Sequence, residues 1–133
     1  IDSQLGFANL TEYERLMDEA DMERFFYGEP LKRKAERTVI IVGETVVGFF
    51  EHGRVEFYGK QYYRTNRPYT ALAHRGHGYM TNALKLWYEN RRPAMSWIDD
   101  ENLSSIRLFQ NVGFRKVEAF FHKNKDGHFY KLD

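Results

Sequence analysis

The chain has 133 residues, of which 42% are hydrophobic and 17% aromatic, enough apolar material for the core of one ordinary domain. Its formal net charge is +1, a balance that argues against a dedicated nucleic-acid binder. The absence of cysteine excludes disulfides, thiolate catalysis and cysteine-based zinc sites. No apolar run reaches the roughly 18 residues of a membrane-spanning helix, and no basic, apolar, small-residue leader layout opens the sequence. A cytoplasmic protein without membrane contact is the expectation.

In chain order, Thr11-Glu12-Tyr13-Glu14 has the spacing of a capping box, which satisfies backbone N–H groups at a helix start. Tyr13, Leu16, Met17 and Ala20 follow at helical spacing, and Asp21 is placed to cap a second short helix through Phe25 and Phe26, stopped by Gly28-Glu29-Pro30. Lys32, Arg33, Lys34 and Arg37 read as a solvated basic face or as a patch for a phosphate or an acidic partner. The β-branched run Thr38 to Val42, the turn Gly43-Glu44 and the run Thr45 to Phe50 predict a hairpin. His52-Gly53 reads as a further turn before a strand at Arg54 to Tyr58. Tyr62-Tyr63 and Tyr69 to Ala73 are weaker strand signals, with Arg64 and Arg67 between them as loop-surface or groove residues.

The pattern then changes. Met80, Ala83, Leu84, Trp87 and Tyr88 predict an amphipathic helix stopped by Arg91-Arg92-Pro93. Ala94 to Ile98 is a short strand, and Asp99 to Asn102 offer caps for a helix carrying Ile106, Leu108, Phe109 and Val112. Gly113 suits the left-handed position after that helix, with Phe114 as its apolar partner. Arg115 to His122 and His128 to Leu132 flank Asn124-Lys125-Asp126-Gly127 as a last hairpin. Trp87 and Trp97 read as core. This order predicts a mixed sheet with helices on its faces.

Two segments carry chemistry. In Arg75-Gly76-His77-Gly78-Tyr79-Met80-Thr81, between a strand and a helix, two glycines let a ligand approach the backbone. The helix start supplies unpaired N–H groups and partial positive charge, and Arg75 adds a planar cation, which together make an anion site. Taken alone, the glycines also fit a plain strand-to-helix turn. The second segment, Glu101 to Phe114, has the spacing Asn-x-x-Ser-x-x-Leu-x-x-x-x-Gly-Phe from Asn102. His74 and His77 have no carboxylate neighbour in sequence and make a poor metal pair, so no metal is expected.

Together the two segments resemble the GNAT N-acetyltransferase superfamily, clearly over residues 69–121 and more loosely elsewhere. Arg75, Gly78 and Met80 are similar to its Gln/Arg-x-x-Gly-x-Gly/Ala loop, with Met80 standing where Gly or Ala is usual. The resemblance implies an α/β (α+β) fold over residues 1–133 as a single domain. The central sheet would be mixed and mostly antiparallel, with helices on both faces and a splayed strand pair for the pantetheine arm. It implies acetyl-CoA as co-substrate and a primary amine as acceptor, on a protein N-terminus, a lysine or a small molecule. The implied cofactor contacts are Thr70, Ala71 and Leu72 along the pantetheine arm. Arg75, Gly76, His77, Gly78, Tyr79, Met80 and Thr81 would hold the diphosphate, with Asn102 and Phe109 further on. Phe109 stands where many members have a tyrosine that protonates the leaving thiolate, which phenylalanine cannot do.

Transfer by direct attack of the amine on the thioester follows, since no Ser/His/Asp grouping suggests a covalent intermediate. The amine must first lose a proton, at a cost of roughly 4–5 kcal/mol at pH 7 for a lysine and about 1 kcal/mol for an α-amine. Glu51, then Glu56 and His52, are the candidate bases. Asn102 and Ser105 are placed to hold a water or the cofactor amide, a role compatible with capping their helix. The rival readings are a catalytically weak module of the same fold that binds protein, and a nucleic-acid binder using Tyr62 to Tyr69. Monomer and homodimer stay open.

Overall fold

A computed structural model describes residues 7–23, 31–117 and 126–133. The second short helix expected through Phe25 and Phe26, its stop at Gly28-Glu29-Pro30, and the strand and turn expected from Glu118 to Lys125 lie outside the described residues. The elements are α1 (Phe7–Met22), β1 (Arg37–Val42), β2 (Thr45–Phe57), β3 (Lys60–Thr70), a single 3₁₀ turn (Leu72–His74), α2 (Tyr79–Tyr88), β4 (Ala94–Asp99), α3 (Leu103–Val112), β5 (Arg115–Val117) and β6 (Gly127–Leu132). The six strands form one mixed, mostly antiparallel sheet in the order β1-β2-β3-β4-β6-β5. Among the described residues, no helix is long and apolar enough to cross a membrane.

Three sequence expectations change. The helix begins at Phe7, so Thr11 lies inside α1 and not at its start; Leu10, three residues before Tyr13, extends the apolar face backward. His52-Gly53 lies within β2 and is no turn, because Gly53 stays out of the positive-φ region. The chain reverses instead at Tyr58-Gly59, with φ of 51° and 76° in succession, as a two-residue hairpin turn requires. The weak strand signal at Tyr62-Tyr63 lies in β3, which makes Arg64 and Arg67 strand residues, whereas the one expected from Tyr69 to Ala73 is strand only at Tyr69 and Thr70, since Leu72–His74 form the 3₁₀ turn. Arg67 takes φ 50° just ahead of Pro68, within the continuous strand β3.

The described residues divide into two compact units. The first is Ile1–His52 with Thr65–Met80. Its core joins Tyr13, Leu16, Met17 and Ala20 of α1 to Val46 and Phe49 of β2, Tyr69 of β3 and Ala71 just after it. Tyr13 meets Phe49 edge-on at 5.9 Å. β1 pairs antiparallel with β2 from Arg37↔Glu51 to Val42↔Thr45, with a register shift after Ile40. Gly48 allows a close backbone approach: a Cβ there would lie 2.5 Å from the Tyr69 carbonyl oxygen. Gly48→Ala should therefore lower the unfolding free energy by about 2 kcal/mol in urea denaturation, within the range of overpacked sites; an unchanged midpoint would contradict the close approach.

The second unit is Gly53–Arg64 with Thr81–Asp133. α2 buries Leu84, Trp87 and Tyr88 at the predicted spacing. β4 pairs antiparallel with β6 through six residue pairs, from Ala94↔Leu132 to Asp99↔Gly127. The parallel register between β3 and β4 is one pair, Tyr63↔Ala94, with Tyr63 N–H donating to the Pro93 carbonyl at 2.9 Å. α3 starts on Asn102, whose side chain accepts from Ser105 N–H. It ends with Gly113 N–H on the Gln110 carbonyl at 3.0 Å and Phe114 N–H on the Phe109 carbonyl at 3.0 Å. This paired closure of a helix end needs an apolar lock across it. Phe109 and Phe114 supply the lock, edge to face at 5.1 Å.

Candidate cofactor-binding site

The loop ahead of α2 has the geometry its sequence suggests. Gly76 and Gly78 take φ of 85° and 74°, conformations that other residues adopt only with strain. A Cβ at either position would meet nothing within 4 Å, so the backbone there faces open space. α2 has ten residues and no acidic group in its first turn, leaving the dipole and free amides at its start unneutralised by a carboxylate of its own. Met80 is buried. His77 and Tyr79 stack at 5.3 Å beside the turn, and Thr81 is half-buried.

The residues just before the loop are already engaged. Ala71 N–H donates to the Val47 carbonyl at 2.8 Å, and the Ala71 carbonyl accepts from His74 N–H at 2.9 Å. The Thr70 carbonyl accepts from Arg75 Nε at 2.9 Å, and Leu72 N–H donates to Glu19 Oε2 at 3.3 Å. At Ala71 both partners are backbone, whereas Thr70 and Leu72 are held by side chains that rotation can withdraw. Arg75 also donates to Glu23 Oε2 at 3.2 Å and lies over the Tyr69 ring at 5.3 Å. The Tyr69 hydroxyl donates to Glu19 Oε2 at 2.5 Å and Glu23 Oε1 at 3.1 Å. Burial, then the Glu19 carboxylate, push its pKa well above the usual tyrosine range, so it stays a donor.

Glu51 sits in a different network of the first unit. Its Oε2 accepts from Arg37 at 2.9 Å and lies 3.9 Å from Arg67, while Asn66 reaches Oε1 at 3.5 Å. Arg37 is fully buried, not part of a solvated basic face as its neighbours in sequence suggested. It also donates to the Lys32 carbonyl and the Tyr13 hydroxyl, and its Nε has no hydrogen-bond partner among the described residues. Arg33 likewise is committed, to Asp18 and Asp21, while Lys32 and Lys34 remain exposed.

In the second unit, the Asn102 side-chain oxygen accepts from Ser105 N–H and from the Ser104 hydroxyl, both at 3.3 Å. Asn102 thus takes the helix-capping role the sequence left open. Phe109 is buried in the apolar lock on Phe114. Sequence reasoning passed over Glu19 and Glu23. Their signal was two carboxylates four residues apart at the end of a helix whose last turn carries no basic residue, where the dipole and their mutual repulsion both disfavour them.

No family model matches the chain, and no curated protein matches it. Solved structures do. An acetyltransferase from Agrobacterium tumefaciens str. C58 superposes with a TM-score of 0.64 at 15% identity, covering 97% of this chain and 87% of its own. The Bacillus subtilis N-acetyltransferase YlbP in complex with coenzyme A gives 0.60 at 12% identity, over 96% of this chain and 91% of its own. yncA from Salmonella typhimurium, solved with its cofactor acetyl-CoA, gives 0.53 at 20% identity, over 86% and 69%.

Proposed function

We propose, from the premise that this chain has the GNAT acetyltransferase fold, that it is an acetyl-CoA-dependent N-acetyltransferase acting directly on a primary amine. The observation that carries the proposal is the open, two-glycine turn at the start of α2, with Gly76 and Gly78 both at positive φ and exposed. Backbone amides from Gly76 to Thr81 bind the diphosphate, each charge-assisted hydrogen bond contributing roughly 1.5–3 kcal/mol. Arg75 adds its cation. The pantetheine arm takes the Thr70 carbonyl and the Leu72 amide, the two groups held by exchangeable side chains, and leaves Ala71 in its backbone pairing.

Chemistry follows from position more than from dedicated acids and bases. Holding two reactants in line supplies roughly 7–11 kcal/mol in favourable cases, whereas a general acid contributes about 10²–10⁴-fold. Water protonates the thiolate in place of the tyrosine absent at Phe109. Glu51 takes the amine proton through Oε1, the oxygen not bound to Arg37. With so spare a set of proton carriers, an α-amine should be acetylated faster than a lysine amine at pH 7, by the roughly 3–4 kcal/mol difference in deprotonation cost.

The test is thiol release from acetyl-CoA over a panel of peptide α-amines, lysine peptides, polyamines and aminoglycosides. Turnover on at least one class supports the enzyme. Saturable acetyl-CoA binding with no turnover on any class favours the second reading, a cofactor-holding module. Phe109 is the observation behind that reading.

A further inference from the structure

The end of α1 carries an arrangement that the proposed reaction does not use. Glu19 and Glu23 lie one helical turn apart, with Glu23 N–H still on the Glu19 carbonyl at 3.0 Å. Carboxylates are disfavoured there by the helix dipole and by each other. Both nevertheless converge on the segment leading into the two-glycine turn. Glu19 holds Leu72 N–H and the Tyr69 hydroxyl. Glu23 holds Arg75 at 3.2 Å and the same hydroxyl. Each carboxylate thus sits on a group that the proposed cofactor would use: a backbone amide for the pantetheine arm and a guanidinium for the diphosphate. A local rule is broken where a ligand is expected, which is the pattern of a functional compromise.

We propose that Glu23 is an internal competitor of the cofactor's diphosphate for Arg75, a latch that sets acetyl-CoA affinity. This rests on the acetyl-CoA reading and extends it to the regulation of the same site. The Arg75 and Glu23 side chains are 37% and 28% exposed, so the ion pair is partly solvated and weak enough to exchange. A diphosphate brings more negative charge than one carboxylate and accepts a planar guanidinium at least as well. On binding, Arg75 leaves Glu23 for the phosphate oxygens. Tyr69 remains donated to Glu19, which keeps the loop seated while the latch opens. Loss of the Glu23 charge should strengthen cofactor binding, the reverse of the effect of removing a residue that aims Arg75.

The experiment is calorimetric titration of acetyl-CoA into the full chain and four variants. Glu23→Gln keeps the side-chain shape and an acceptor for Tyr69, and should bind about three- to fivefold more tightly, the scale of a partly exposed ion pair. Glu14→Gln, an exposed acid earlier on α1, controls for bulk charge and should bind within twofold of the parent. In the Arg75→Met background, Glu23→Gln should lose its advantage, which places the coupling on that pair. Equal or weaker binding by Glu23→Gln, with the parent binding normally, overturns the latch. An advantage that persists in Arg75→Met overturns it also. If the parent chain itself gives no acetyl-CoA binding, the acetyl-CoA reading falls and takes the latch with it. Circular dichroism melts of each variant exclude misfolding as the source of any change.

Discussion

Glu51→Gln should lower the unfolding free energy by about 3 kcal/mol, because it leaves Arg37 as a buried cation without its carboxylate. Arg37 is 2% exposed, and Glu51 at 2.9 Å is its carboxylate partner among the described residues. The tyrosine hydroxyl, the methionine sulfur and the Lys32 carbonyl that it also reaches are neutral and do not replace a charge. The Arg37 Nε, already without a partner among the described residues, leaves the guanidinium little reserve. For a domain of this size such a loss lowers the melting temperature by about 10 °C. Replacing both partners with apolar residues, Arg37→Met with Glu51→Leu, should recover most of the loss, since a well-packed apolar pair is often as stable as a buried ion pair. A drop under about 1 kcal/mol for Glu51→Gln would mean that the pair is solvated. The experiment also separates two roles of one residue: turnover per folded molecule reads Glu51 as a base, and the melt reads it as the counter-charge of Arg37.

Gly78→Glu should weaken acetyl-CoA binding by about 100-fold or more. The new carboxylate would stand over the amides that receive the diphosphate, so two charge-assisted bonds of roughly 1.5–3 kcal/mol each are lost, and 100-fold corresponds to about 2.7 kcal/mol. The fold should tolerate the change, because a Cβ at Gly78 meets nothing within 4 Å. The remaining cost is the strain of a side chain at φ 74°, about 1–2 kcal/mol. Gly78→Ala carries the strain without the charge and separates the two terms: binding by the alanine variant should fall by about tenfold or less. Equal losses in both variants would place the effect in backbone strain and not at the anion site.

Helical periodicity made α2 and α3 legible, since each presents one apolar stripe, and the β-branched runs around Gly43 gave the first hairpin. The turn ahead of α2 was legible because glycine spacing reports backbone conformation directly, and Gly76 and Gly78 both take positive φ. What escaped was set by tertiary contacts. The turn at Tyr58-Gly59 was hidden because tyrosine is a poor residue for positive φ, while His52-Gly53 imitated a turn inside a continuous strand. Arg37 looked solvated among Lys32, Arg33 and Lys34, since sequence cannot show that Glu51 stands opposite it across the β1–β2 ladder. Glu19 and Glu23 were passed over because their partners, Tyr69, Leu72 and Arg75, are about fifty positions away. Phe109 read as a missing proton donor, and the structure gives it a second function as the apolar lock at the end of α3.

The most direct measurement is an amide-resolved NMR titration of the chain with acetyl-CoA. If main-chain N–H groups at the start of α2 grip a diphosphate, the largest shifts fall on Gly76 to Thr81 and saturate together, and free pyrophosphate competes for the same amides. Saturable binding that leaves Gly76, His77 and Gly78 unmoved, or no binding at all, would contradict the assignment of that turn as the cofactor site.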